Sequence, residues 1–156
     1  AGWEPGAIAG GWSPYQKLVT YPVPTREEID APRTPVEVVT GRRVVGDPSI
    51  GKYTVLVNNA GYQVMLDLDP ARVAADPAKF DPAQRGYSQY DLPPKFHPAP
   101  KSMLIVGAGT GNDAAGALRN GVGRVVAVEI DPAIIAFGRR FHPERPYDDP
   151  RVAVVN

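Results

Sequence analysis

The residues whose types and spacing best suit chemistry are three alternating glycines and the acid that follows them. Gly107, Gly109 and Gly111 lie in the segment Gly107-Ala108-Gly109-Thr110-Gly111, and Glu129 comes directly after the next apolar run. Glycine lets a backbone turn sharply and lie close to a ligand, where a Cβ atom would collide. A carboxylate at the end of the following strand can accept hydrogen bonds from both hydroxyls of a ribose. Together these residues predict a nucleoside-binding site.

Two short apolar runs must position the glycine loop and the acid. Met103–Val106 and Val125–Val128 are each typical of a strand buried on both faces of a parallel sheet. Between them we expect a helix with Asn112 or Asp113 as its N-cap, ended by the glycines that follow Asn120. The order strand, glycine loop, helix, strand, acid indicates a nucleotide-binding βαβ unit.

A second helix and a third strand extend this unit. Asp131 followed by Pro132 is a typical helix start, and Val152–Val155 is a third buried strand, after which the sequence ends at Asn156. The predicted fold class is therefore α/β. We expect an amino-terminal β-hairpin and loop-rich region, followed by the first half of a doubly wound (Rossmann-like) parallel sheet that is truncated after its third strand.

Other glycine-rich motifs fit this loop less well. The dinucleotide-binding pattern would require a third glycine at the position of Asn112, and the phosphate loop of nucleotide hydrolases would end in Gly-Lys-Ser/Thr. What remains is the pattern of nucleoside binding found with S-adenosylmethionine. A tight turn between strand and helix, with no ligand, stays open as the alternative.

Composition limits the classes of function. Acidic and basic residues balance at 17 each, which does not indicate a nucleic acid or an anionic membrane as a partner. The absence of cysteine excludes disulfides, thiolate catalysis and cysteine metal sites. His97 and His142 both precede prolines and lie far apart in sequence, so no metal site is predicted. Neither a membrane-spanning apolar run nor a signal peptide is recognisable.

The first hundred residues are expected to form a loop-rich β region. Of the 18 prolines, 14 precede residue 101, which places the domain boundary near His97–Pro100 and divides the chain into residues 1–100 and 101–156. The clearest hairpin is residues 53–68, with a turn at Asn58-Asn59-Ala60-Gly61. We also expect strands at Val36–Thr40 and Val44-Val45 and a short helix at Ala71–Ala75. Ala1–Ser13 has no periodicity and is expected to be an ordered tail only if Trp3 and Trp12 are buried against a surface.

Three motifs resemble those of the spermidine synthase (polyamine aminopropyltransferase) family, a member of the class I S-adenosylmethionine-binding fold. That family has a G-G-G-D-G loop, then V-E-I-D, then Y-D-D-P-R. The matching segments here are Gly107–Gly111, Val128–Asp131 and Tyr147–Arg151. Many methyltransferases carry an acid two residues before the first glycine, but this position is Ile105, as in the aminopropyltransferases. The resemblance covers residues 101–156 well and the first hundred residues in patches.

The resemblance implies a set of site residues. Decarboxylated S-adenosylmethionine or S-adenosylmethionine, as co-substrate and without a metal, would contact Gln16, Gly107, Ala108, Gly109, Thr110, Gly111, Glu129 and Ile130. The amine substrate would lie near Tyr62, Gln63 and Asp113. Gln16 lies in a segment similar to the family's S-x-Y-Q, and Gln63 in a hairpin similar to its L-D-G-x-x-Q hairpin. Alternatives stay open for both: a proline turn that enters an edge strand, and a polar residue on a half-exposed strand.

Two departures from the family bear on substrate. Thr110 stands where the family loop has an aspartate that faces the aminopropyl ammonium, so selection against S-adenosylmethionine by charge is lost unless Asp113 replaces it. Tyr87-Ser88-Gln89-Tyr90-Asp91 stands near the position of the family's Y-H-E segment and has no histidine. The leading hypothesis is aminopropyl transfer to a polyamine amine. The alternatives are an S-adenosylmethionine-dependent methyltransferase and a non-catalytic module that binds a nucleoside or a protein.

The resemblance also implies that the family's proton-accepting aspartate would lie beyond Asn156, so no catalytic residue is assigned. We therefore expect an amino-terminal fragment of a bacterial protein that is inactive alone. An unfinished sheet is expected to self-associate or form a homo-oligomer. This portion is expected in the cytoplasm. Some relatives carry a membrane-spanning portion ahead of this region, which leaves a membrane-linked parent protein open as an alternative.

Overall fold

The computed structural model describes residues 4–31, 50–80, 87–97 and 100–156. Its strands are β1 (Ala9–Trp12), β2 (Lys17–Pro22), β3 (Gly51–Val57), β4 (Ala60–Leu66), β5 (Ser102–Val106), β6 (Arg124–Val128) and β7 (Val152–Val155). Its α-helices are α1 (Arg26–Asp30), α2 (Pro70–Ala75), α3 (Leu92–Phe96), α4 (Asn112–Arg119) and α5 (Pro132–Phe141). Within the described residues, no helix is long and apolar enough to span a membrane.

The amino-terminal strands form an antiparallel sheet in the order β1-β2-β3-β4. The predicted hairpin is confirmed as β3 and β4, but its turn has two residues instead of four. Asn58 and Asn59 both have positive φ, at 48° and 69°, which matches the right-handed twist of a tight hairpin. Asn58 also accepts a hydrogen bond from the Lys17 backbone through Oδ1 at 3.0 Å, so the turn is anchored to β2.

One strand of this sheet was not predicted. Residues 9–12 form β1, paired with β2, although the prediction for this segment was a tail without periodicity. Two of its four residues are glycines, which have low strand propensity, so the segment carries no strand pattern in its sequence. The segment is a strand because it pairs with β2. The predicted helix at 71–75 is confirmed as α2. The predicted strands at 36–40 and 44–45 lie outside the described residues.

The carboxyl-terminal strands form a parallel sheet in the order β5-β6-β7. All three predicted strands are present, which confirms the mixed α/β fold class. One face of this sheet is covered by a buried cluster to which β5, β6, α4 and α5 contribute, its members including Ile105, Ala114, Ala117, Val125, Ala127 and Ile135. On the opposite face Leu104, Val106 and Val155 remain 65%, 78% and 47% exposed. The parallel sheet is thus packed on one side only by the described residues.

Helix α5 joins the two sheets. Ile134 packs with Leu18, Val55 and Met65 of the antiparallel sheet. Ile135, the next residue, belongs to the core of the parallel sheet. Neighbouring residues of a helix point about 100° apart, so one helix can supply both cores. The expected division of the chain near His97–Pro100 stays a prediction.

Candidate functional site

The glycine loop is a tight turn held at the end of β6. The backbone N–H groups of Gly107 and Ala108 both donate to the Val128 carbonyl, at 2.9 Å each. Gly107, Gly109 and Gly111 have φ of 74°, 59° and 112°, a region that side chains other than glycine rarely adopt. The sequence prediction of a sharp glycine turn after β5 is therefore confirmed.

The three glycines have different surroundings. A Cβ atom on Gly109 would lie 2.7 Å from Gln63 Oε1, and one on Gly111 would lie 2.7 Å from Pro146 Cγ. A Cβ atom on Gly107 would meet no atom of the described residues within 4 Å. Gly109 and Gly111 therefore permit close packing within the protein. Gly107 is the glycine whose open side leaves room for a ligand.

Glu129 is buried and bound to the backbone through both carboxylate oxygens. Its Oε2 accepts a hydrogen bond from Gly109 N at 2.9 Å, and its Oε1 accepts one from Asp131 N at 2.9 Å. Glu129 is only 4% exposed. Each carboxylate oxygen has a second lone pair, so two hydroxyl donors could still be accommodated. The acid thus follows β6 as predicted and is fixed directly beside the glycine loop.

Gln16 lies close to this acid but its amide is aimed at Asp131. Gln16 Nε2 donates to Asp131 Oδ2 at 2.9 Å, and Ser13 Oγ donates to the same oxygen at 2.7 Å. Asp131 Oδ1 accepts from Ala133 N at 2.9 Å, which confirms Asp131 as the N-cap of α5. The loop between β1 and β2 is therefore attached to the end of β6 through one buried carboxylate. Sequence reasoning gave Ser13 no role and Asp131 only that of a helix cap.

Gln63 joins the hairpin to the glycine loop. Its Oε1 accepts hydrogen bonds from Thr110 N at 2.8 Å and from Thr110 Oγ1 at 2.6 Å. Thr110 is fully buried. The residue that replaces the family's aspartate is thus neutral and paired with the glutamine of the β3–β4 hairpin.

Tyr62, Asp113 and Ile130 are the remaining predicted site residues, and the charges of Glu129 and Asp113 both act on the Tyr62 hydroxyl. Burial raises the pKa of the half-exposed Tyr62 hydroxyl, and the charge of Glu129 raises it further, with smaller contributions from Asp131 and Asp113. Burial also raises the pKa of Asp113, which has no hydrogen-bond or ion-pair partner among the described side chains. Ile130 is 67% exposed beside Glu129. These charges make the surroundings of Tyr62 negative.

The predicted N-cap of α4 is wrong. The N-cap residue is Gly111, which has no side chain to cap with, and Asp113 lies within the first turn. Asn112 is buried and serves the hairpin instead: Oδ1 accepts from Leu66 N at 3.0 Å and Nδ2 donates to Val64 O at 2.7 Å. β4 is an edge strand, so Leu66 N and Val64 O have no partner strand and bind the Asn112 side chain instead. The residues around a helix start cannot predict such a distant contact.

Tyr147 completes the support of the loop. Its hydroxyl donates to Gly109 O at 2.7 Å and also lies 3.1 Å from Ala108 O. Burial raises the pKa of this hydroxyl, with Glu129 adding to the rise. The phenol therefore stays protonated and serves as a donor to the loop. The Tyr147–Arg151 motif carried the family resemblance, but its sequence gave no indication of this contact.

A buried ion-pair network joins α4 to the segments just before α3 and just after α5. Arg119 of α4 pairs with Asp91 at 2.9 Å and with Glu144 at 2.5 Å. Burial disfavours the charged form of Asp91, but its hydrogen bonds with Arg119 and Ser88 outweigh this and hold the pKa of Asp91 below its usual value. Asp91 is fully buried. This arrangement gives the Tyr87–Asp91 segment a structural role, with its acid unavailable to a substrate.

His142 is part of the same network. Its Nε2 lies 3.1 Å from Asn112 Oδ1, and its Nδ1 accepts from Glu144 N at 3.2 Å. Burial lowers the pKa of His142 to about 3, and the positive charge of Arg119 is the second, smaller cause. Among the described residues no group of three histidines, aspartates or glutamates is arranged to hold a metal ion.

Residues 90–156 match the protein-family model described as the spermine/spermidine synthase domain. A polyamine aminopropyltransferase of Thermoanaerobacter sp. (strain X514) is 40% identical over 62 residues, which cover 38% of this chain and 22% of the relative. One of Pyrobaculum calidifontis (strain DSM 21063 / JCM 11548 / VA1) is 40% identical over 63 residues, with the same coverage. The match therefore spans 22% of the length of these relatives.

Solved structures show the same fold. The crystal structure of spermidine synthase from Thermotoga maritima matches with a TM-score of 0.54 and 16% identity, over 96% of this chain and 40% of that one. A spermidine synthase in complex with the transition state analogue AdoDATO matches with a TM-score of 0.54 and 16% identity, over 96% and 39%. These structures confirm the expected fold, and the matches over residues 90–156 confirm the resemblance expected from the sequence.

Proposed function

We propose that this chain, which carries a spermine/spermidine synthase domain over residues 90–156, is the nucleoside-binding part of an aminopropyltransferase-like enzyme. The observation that supports this most is the pair formed by Glu129 and Gly109, which fixes a carboxylate beside the open side of Gly107. In the proposed complex the ribose hydroxyls donate to Glu129. The adenosine part lies over the glycine loop and beside Ile130.

The proposed reaction transfers an aminopropyl group from decarboxylated S-adenosylmethionine to a polyamine amine. The neutral amine attacks the carbon next to the positive sulfur, a C–N bond forms, and the C–S bond breaks. The electron pair of that bond returns to sulfur and gives neutral 5′-methylthioadenosine, while the amine loses a proton. The role of the described residues is to bind and orient the donor. The residue that accepts the proton stays unassigned.

The charge near Tyr62 supports a cationic donor. Glu129, Asp131 and Asp113 all raise the pKa of Tyr62, so a sulfonium or ammonium there would be attracted. Asp113 has no side-chain partner among the described residues, which leaves its carboxylate available for an ammonium group. We propose Asp113 as the replacement for the charge that Thr110 lacks.

The Thr110–Gln63 pair supports a second candidate, S-adenosylmethionine-dependent methyl transfer. A neutral residue at this position does not repel the carboxylate of S-adenosylmethionine, whereas an aspartate would. The two hydrogen bonds to Gln63 Oε1 also leave its Nε2 as a possible donor to that carboxylate. The two candidates therefore differ in which group the tail of the donor meets: Asp113 or the amide of Gln63.

One experiment separates these functions. The full-length protein is incubated with putrescine and either donor, and the products are identified by mass spectrometry against a control without protein. We expect 5′-methylthioadenosine from decarboxylated S-adenosylmethionine. S-adenosylhomocysteine from S-adenosylmethionine would favour the methyltransferase instead. Nucleoside binding without turnover would indicate a binding module, and no nucleoside binding by calorimetry would refute the proposal altogether.

A further inference from the structure

A continuous series of hydrogen bonds leads from the β1–β2 loop to the glycine loop. Ser13 Oγ and Gln16 Nε2 donate to Asp131 Oδ2 at 2.7 and 2.9 Å. Asp131 N donates to Glu129 Oε1 at 2.9 Å, and Glu129 Oε2 accepts from Gly109 N at 2.9 Å. Residues far apart in sequence are thus linked by four bonds of ordinary length.

The β1–β2 loop is built to present these two donors. Ser13 Oγ accepts hydrogen bonds from Tyr15 N at 3.2 Å and from Gln16 N at 3.1 Å. With both of its acceptor positions used, the hydroxyl has one proton to donate, and Asp131 Oδ2 at 2.7 Å is a closer acceptor for it than Gln16 O at 3.3 Å. Ser13 N also donates to Gln16 O at 2.9 Å, which closes the turn.

We propose that Ser13 and Gln16 are positioning residues that hold the Glu129 carboxylate in place through Asp131. This inference rests on the proposed nucleoside site. Asp131 is 1% exposed, and a buried carboxylate is stable only when hydrogen bonds compensate its charge. Loss of one donor loosens the Asp131 segment at the end of β6, and the backbone N–H of that segment is the donor that holds Glu129 Oε1.

The competing explanation is direct contact between Gln16 and the nucleoside. The Oε1 atom of Gln16 accepts no hydrogen bond from the described residues, so it could accept one from a ribose hydroxyl. Direct contact gives Gln16 an effect on affinity that does not require Glu129. It also gives Ser13 no effect beyond the shape of the loop.

A double-mutant cycle separates the two explanations. Affinity for 5′-methylthioadenosine is measured by calorimetry in the full-length protein for Ser13→Ala and Gln16→Met, each with Glu129 intact and with Glu129→Gln. We expect each substitution to lower the affinity about three- to tenfold with Glu129 present and less than about twofold with Glu129→Gln. Equal losses in both backgrounds would overturn the proposal.

A second measurement needs no ligand. The exchange rate of the Gly109 amide, which donates to Glu129, is followed by NMR in the free protein. We expect faster exchange in Ser13→Ala and Gln16→Met, and recovery in Ser13→Thr, which keeps the hydroxyl. Thr25→Ala is the matched control: it removes the cap of α1, costs comparable stability, and touches neither Asp131 nor Glu129.

These readouts distinguish failure of the proposal from failure of the proposed function. Where every member of the cycle binds the nucleoside measurably, the cycle decides. Where the unmodified protein binds none, the nucleoside function fails. In that case, or where a variant binds too weakly to measure, the Gly109 exchange rate decides, and a rate unchanged by both substitutions would refute the positioning role.

Discussion

Gly107 and Gly121 share a backbone conformation, with φ of 74° and 78°, and a Cβ atom on either would meet no described atom within 4 Å. They differ in location, because Gly107 lies beside Glu129 in the glycine loop and Gly121 follows the end of α4. The two positions therefore form a matched pair for separating ligand binding from backbone strain.

The first prediction uses this pair. Gly107→Ala and Gly121→Ala should each cost about 1–2 kcal/mol of stability, because an L-residue is strained at this φ. Only Gly107→Ala should lower the affinity for 5′-methylthioadenosine, by about tenfold or more, because its methyl group enters the open side of the loop. Thermal unfolding and calorimetry of both variants check this. Equal affinities would mean that no ligand approaches Gly107.

The second prediction concerns Asp113. Asp113→Asn should lower the affinity for decarboxylated S-adenosylmethionine about tenfold while leaving that for neutral 5′-methylthioadenosine within about twofold, because only the former carries an ammonium group. Asp30→Asn, at the exposed last residue of α1, is the control. Equal losses for both ligands would show that Asp113 does not select by charge.

The third prediction is a pH dependence from His142. Its pKa falls from 6.5 to about 3 on folding, so the unfolded chain binds more protons between these values and stability rises with pH across that window. The contribution is at most about 1.4 kcal/mol per pH unit. Glu144 lies in the same network and titrates in both proteins, with a pKa that burial raises, whereas Arg119 stays charged, because Asp91 and Glu144 raise its pKa further. The difference between the unmodified protein and His142→Gln therefore isolates the histidine.

Urea unfolding at several values between pH 4 and pH 7 measures this difference. The unmodified protein should lose stability more steeply than His142→Gln as the pH falls. Parallel curves would show that His142 is protonated in the folded protein as readily as in the unfolded chain.

The fourth prediction concerns the open face of the parallel sheet. Leu104 and Val106 point to the face that no described residue covers, so residues 1–156 alone should self-associate. Val106→Thr, which keeps the β-branched shape, should raise the monomer fraction in sedimentation experiments. Val23→Thr, away from this face, is the control. A chain that is monomeric before the substitution would contradict the expectation of self-association.

The sequence predicted those features that depend on local pattern. The apolar runs at 103–106, 125–128 and 152–155 became β5, β6 and β7, and the acid after β6 lies beside the glycine loop. The Asn58-Asn59 turn also has a local cause, because asparagine tolerates positive φ. Such signals arise within a few residues and do not depend on the rest of the fold.

The contacts that no local pattern predicts join distant residues. Ser13 bonds with Asp131 across 118 positions, and Gln63 with Thr110 across 47. Asn112 is a good helix cap by type, yet the backbone of β4 takes its side chain. In each case a buried polar group found its partner only when two elements packed together, and the energy of an unpaired buried group makes that partner obligatory.

The placement of Ile134 in one core and Ile135 in the other bears on how the protein unfolds. Helix α5 cannot leave the parallel sheet without also uncovering Leu18, Val55 and Met65. Separation of the two sheets would therefore expose both cores at once, which makes a half-folded form costly. The described parts of the chain should behave as one cooperative unit, with a single unfolding transition by calorimetry and by circular dichroism. Ligand bound at the glycine loop would then protect the amino-terminal sheet as well.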